Sequence, residues 1–85
     1  MIRVVLTMVG GGGQWRRELE MPCPPRIHEH LVLDSGQVYI VGATVNYPLK
    51  GFISAAVVMQ TDDIYARLPL DFRDKLAADG FEAVE

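Results

Sequence analysis

The chain has 85 residues, 49% hydrophobic and 22% charged, a size and balance that hold one globular domain and exclude both disorder and a second module. Eight Lys and Arg against eleven Asp and Glu leave a net charge of −3, the wrong sign for an affinity built on neutralising phosphates. Direct nucleic-acid binding is therefore disfavoured, and the acidic excess falls in residues 43–85, because residues 1–42 are balanced.

Cys23 is the only cysteine, so no intrachain disulfide staples the domain and a reducing, cytoplasmic setting is expected. Thr7 interrupts the apolar start of the chain, and no run approaches the ~20 apolar residues of a membrane helix, so no membrane association is expected.

Residues 2–9 set Ile2, Val4, Leu6 and Met8 against Arg3, Val5, Thr7 and Val9, which predicts a strand buried on one face and partly covered on the other. Gly10, Gly11, Gly12 and Gly13 then form a hairpin tip. From Gln14 to Met21, Trp15, Arg17, Leu19 and Met21 share one face and Arg16, Glu18 and Glu20 the other, the pattern of a second strand. The run Pro22-Cys23-Pro24-Pro25 cannot continue a ladder and predicts a stiff connector. Alternation resumes over Ile27–Leu33, Asp34-Ser35-Gly36-Gln37 supplies a turn, and Val38–Tyr47 is a long strand with Gly42 placed for a bulge. Asn46–Gly51 is a loop, and Phe52–Gln60 a fifth strand.

The texture then becomes helical. Asp62–Leu68 has room for one helical turn before Pro69, and a helix at about 71–79 starts with Asp71 as cap. Phe72 and Leu76 lie together at i, i+4, Asp71 faces Lys75, and Gly80 suits a left-handed stop that returns Phe81 onto Leu76. Asp74 and Asp79 belong to a solvated acidic surface in this reading.

Five short strands and one helix predict a mainly β (α+β) domain spanning residues 1–85, a half-open five-stranded barrel with the helix plugging one end. Its expected core is Trp15, Leu19, Leu31, Leu33, Val41, Val45, Val57, Met59, Phe72 and Leu76. The stretch Met21–Ile27 with Leu31–Val41, a Pro-rich connector leading through Arg26-Ile27 to a strand, a Gly turn and Tyr39-Ile40-Val41, resembles small bacterial and phage proteins with SH3-like barrels. His28-Glu29 stands where that pattern has Gly-Asp, and the resemblance implies a fold but no activity.

Several residues invite chemistry. On a strand, His28 and His30 would project to one side about 6–7 Å apart, two metal ligands without a third, the only basis for a metal-dependent hydrolase. No metal site, cofactor or catalytic set is expected. Gly10–Gly13 with Arg16 or Arg17 offers an alternative, capture of a small anion such as a nucleotide by an oligomeric barrel, although the glycines open onto a strand rather than a helix. Cys23 lacks the cationic surroundings of a reactive thiol.

The favoured function is non-enzymatic protein binding, with Arg16, Arg17, Arg26 and Tyr39 as the anchors. Tyr47 and Tyr65 supply further amphipathic rings for a peptide groove. The resemblance adds a phage or mobile-element protein, an accessory or inhibitor acting on a host complex. Unpaired barrel edges predict a homodimer or higher oligomer.

Overall fold

The computed structural model describes residues 1–10, 13–60 and 71–84. Its elements are β1 (Ile2–Gly10), β2 (Gly13–Met21), β3 (His30–Val32), β4 (Val38–Tyr47), β5 (Phe52–Met59), α1 (Phe72–Ala78) and β6 (Glu82–Val84). The strands form one six-stranded sheet in the order β3-β4-β5-β1-β2-β6. The fold is mainly β with one short helix, as the sequence predicts, but the sheet is open and no barrel closes. Closure would have to join β3 to β6, and these three-residue strands stand at opposite edges.

Two non-local pairings produce this order. β1 pairs with β5 in parallel, Val4 opposite Ile53 and Met8 opposite Val57, which puts the first strand inside the sheet. β6, a sixth strand absent from the expectation, pairs antiparallel with β2 through Gln14–Val84 and Arg16–Glu82. β5 and β6 therefore run parallel, with α1 in the crossover between them.

The inner face carries the core. Val4, Leu6 and Met8 of β1, Tyr39 and Val41 of β4, and Ala55, Val57 and Met59 of β5 pack with Leu76 and Phe81. Trp15, Leu19, Leu31, Leu33 and Phe72 are half-buried against it, and Trp15 meets Phe72 edge-on at 5.6 Å. The helix thus lies on the inner face of the sheet, where a barrel plug was expected. Val45, expected in the core, is 51% exposed. A bulge between Val41 and Ala43 adds one residue to β4, so Val45 pairs with Ser54 on the outer face while Thr44 takes the inward phase.

Local signals fare unevenly. Gly80 has φ +80°, Phe81 N–H donates to Leu76 O at 2.9 Å and Gly80 N–H to Ala77 O at 3.1 Å, the paired bonds of a Schellman stop. At the other end Asp71 occupies the cap position without a side-chain cap bond, its carboxylate lying 3.9 Å from Lys75 instead. The strand expected over Ile27–Leu33 shrinks to His30–Val32 because a turn intervenes, closed by Glu29 N–H on Arg26 O at 3.0 Å, with His28 at φ 72°. The turn expected over Asp62–Leu68 lies outside the described residues.

Candidate functional site

The outer face of the sheet is the feature that the fold leaves unused. Register assigns Arg3, Val5, Thr7 and Val9 of β1 to it, with Ser54, Ala56 and Val58 of β5 and Ile40, Ala43 and Val45 of β4. Val32 of β3 joins this row through its pairing with Val38. On this face Val5 is buried at 5%, whereas Val9 is 69%, Val32 65%, Val58 52% and Val45 51% exposed. Single exposed valines are ordinary; here four lie on one side of one sheet, spread over four strands.

The border of this patch is aromatic and ionic. Tyr47 and Phe52, opposite each other at the β4–β5 turn, stack at 4.8 Å with 23° between planes. Arg3 lies over the Phe52 ring and Lys50 over the Tyr47 ring, each at 5.8 Å. Arg3 also donates to Glu18, and Arg16 lies 3.6 Å from the same carboxylate. Arg3 and Arg16 thus share one carboxylate at the border of the apolar centre.

The four anchors expected from sequence do not form one patch. Tyr39 is completely buried, because β4 lies between β3 and β5 and turns this ring inward, 5.4 Å from Phe81. Arg16 stands on the rim of the outer face, whereas Arg17 points inward and donates to the Asp79 carbonyl. Both line an open hollow of about 620 Å³ at the β2–β6 edge, in company with Glu18 and Glu82. Arg26 belongs to the turn beside β4, and three strands separate that edge from β2, roughly 15–20 Å at the ~4.8 Å strand spacing.

The remaining candidates separate as well. Gly10 and Gly13 pair across the β1–β2 hairpin, while Gly11 and Gly12 lie outside the described residues, as does Tyr65. His28 sits in the turn and His30 in β3, so the strand geometry that would align the two imidazoles is not present. Among the described residues no three His, Cys, Asp or Glu side chains gather as a metal-binding group.

Sequence reasoning missed a buried polar cluster. Asp79, expected on a solvated surface, has no exposed area. Its Oδ1 accepts from Ser35 N–H at 2.7 Å, and its Oδ2 accepts from Ser35 Oγ at 2.7 Å and from Tyr39 OH at 2.6 Å. Desolvation first, then the hydrogen bond and negative charge of Asp79, push the Tyr39 phenol far above its ordinary range, and Arg17 opposes them. Every bond in the cluster is internal, so its role is to clamp the end of α1 to the β3–β4 turn.

The chain matches no family model, no curated protein and no solved structure. These comparisons neither support nor oppose the resemblance to SH3-like bacterial and phage proteins. No helix among the described residues is long and apolar enough to cross a membrane.

Proposed function

We propose that the protein is a non-enzymatic interaction module that binds another protein through the outer face of its sheet. The observation that carries this reading is the set of exposed valines on this face, Val9 of β1, Val58 of β5, Val45 of β4 and Val32 of β3, beside a rim where Arg3 and Arg16 both reach Glu18. An apolar centre inside a polar rim is the usual anatomy of a protein interface, in which burial supplies the energy and the rim excludes water. Arg16, Arg3 and Tyr47 contribute at that rim, whereas Tyr39 acts only from within. The exposed Cys23 thiol is in keeping with action in the cytoplasm, and occupation of a host complex, as an inhibitor or accessory, is the form this binding takes by the family resemblance. Capture of a small anion is the weaker reading, since Glu18 and Glu82 share the hollow with both arginines and Arg17 is already engaged.

The test is differential recovery from an extract of the source cell, with wild type, Val58→Lys and Asp74→Ala immobilised in parallel. The partner is expected with wild type and with Asp74→Ala and is lost with Val58→Lys. Equal recovery by all three would move the binding site away from the sheet.

A further inference from the structure

We propose that the Asp79–Gly80 step is a modification site held closed by the polar clamp: where the end of α1 opens, it converts to isoaspartate, and the conversion prevents the clamp from forming again. Sequence, geometry and the chemistry of the product lead to it.

Of the six aspartates only Asp79 is followed by glycine. With no side chain on that glycine its amide nitrogen is unhindered and its backbone turns freely, so this is the step at which an aspartate closes most readily on its neighbour. The Gly80 nitrogen attacks Asp79 Cγ, a C–N bond forms, and one water leaves with a carboxyl oxygen and the amide proton. Water then opens the five-membered imide at either carbonyl, and opening at the main-chain carbonyl of Asp79 leaves the chain running through Cβ. No oxidant or cofactor enters, and the water lost in the first stage returns in the second.

The fold blocks each partner of that reaction. The carboxylate is fully buried and accepts from Ser35 N–H and Ser35 Oγ at 2.7 Å and from Tyr39 OH at 2.6 Å. The nucleophile is held as well, since Gly80 N–H donates to Ala77 O at 3.1 Å. Between them Asp79 has ψ 5°, which sets the Gly80 nitrogen nearly eclipsed with the Asp79 nitrogen, whereas ring closure needs it eclipsed with Cβ. Turning ψ would swing the Asp79 carbonyl away from Arg17, which donates to it and packs over Gly80 with Nε 3.4 Å from the place of a Cβ. Reaction therefore requires the Schellman stop, the Arg17 bond and the clamp to open together, an event confined to the end of α1.

The product cannot restore what was opened. Isoaspartate takes Cβ into the main chain and leaves the free carboxylate directly on Cα, one carbon shorter than the arm that reaches Ser35 and Tyr39. The donors of Ser35 and Tyr39 then lose their buried acceptor, and α1 loses its tie to the β3–β4 turn.

The experiment is incubation near neutral pH of wild type, Ser35→Ala, Tyr39→Phe and Val57→Ala, the last a buried core truncation on β5 that touches none of these bonds. Isoaspartate at position 79 is followed over weeks by fragment-ion mass spectrometry, the thermal midpoint of each protein is recorded, and wild type unfolded in urea gives the unguarded rate. Native wild type is expected to convert at least about thirtyfold more slowly than the urea sample. Ser35→Ala and Tyr39→Phe, each short of one donor, are expected to convert roughly five- to thirtyfold faster than native wild type, the weight of one lost hydrogen bond on the opening equilibrium, and Val57→Ala at the wild-type rate. Two clamp variants are used so that one unfolded variant leaves the other to decide. A native wild type that converts as fast as the urea sample overturns the proposal, as do folded clamp variants that convert no faster than wild type. Equal acceleration by Val57→Ala also overturns it, since the whole fold and not the clamp would then be the guard. Converted wild type, separated by ion exchange, is expected to melt below the unconverted protein, and equal midpoints would show that the clamp forms again and overturn that part of the proposal.

Discussion

On β1, the inward row Val4, Leu6 and Met8 is sealed beneath Leu76 and Phe81, while the outward row ends in Val9 with 69% of its surface in solvent. The outward row mixes Arg3 and Thr7 with Val5 and Val9, and of its two valines Val5 is buried at 5%, so residue type alone does not decide which side chain is covered. Coverage comes from chain that returns later. The crossover through α1 brings two large side chains to one side of the sheet, and the Schellman stop directs the second of them inward. On the other side the exposure is uneven, closed at Val5 and open at Val9.

The contrast is sharpened most by paired truncations on the two sides. Leu6→Ala removes a fully buried side chain and is expected to cost about 3–4 kcal/mol in urea unfolding, whereas Val58→Ala on the outer face should stay within about 0.5 kcal/mol at concentrations where the chain is monomeric. Equal costs would mean that the two faces are covered alike.

Second in size is the polar clamp. Asp79→Ala strands the donors of Ser35 and Tyr39 and is expected to cost about 3 kcal/mol, with Asp74→Ala, on the exposed side of the same helix, near zero. Thermal midpoints measured together would show a large drop for the first and none for the second.

The smallest effect is a pH dependence. Burial holds the Tyr39 phenol neutral well past its unfolded value of about 10, so the unfolded chain releases that proton first. Its contribution is complete below pH about 10 and is lost as pH rises beyond it, with the unfolded state favoured increasingly. Tyr39→Phe, lower in stability by about 1–2 kcal/mol at neutral pH, should therefore lose less further stability between neutral pH and strong alkali than the wild type. Parallel slopes would show that this phenol does not report on the inner face.

Local chemistry was legible from the residues alone. The glycine stop at Gly80, the alternation of β1 and β2, the turn before Gly36 and the bulge position at Gly42 all follow from a few neighbouring side chains. What followed from the bulge was harder, because one inserted residue reverses the phase of everything beyond it and carried Val45 from the expected core to the surface. Long-range facts had no local signal. Asp79 finds Ser35 and Tyr39 at separations of 44 and 40 residues, and the pairing of β1 with β5 joins the two ends of the sheet's assembly. The arginine anchors were chosen by residue type, and type does not say that Arg17 turns inward or that Arg26 sits across the sheet. The outer valines were visible as the second apolar row of their strands, but not as uncovered, since that depended on where α1 came to rest.

The interior position of β1 also sets an order of events on the ribosome. Of the six strands this one emerges earliest, and its hairpin partner β2 follows at once, but the parallel neighbour that opposes Val4 begins only near Ile53. During that interval one edge and the apolar inner face of the β1–β2 hairpin stay open, in a form able to pair with another strand. The strand that ends inside the sheet is thus the one whose second edge waits longest for its partner, since β5 follows it by more than forty residues.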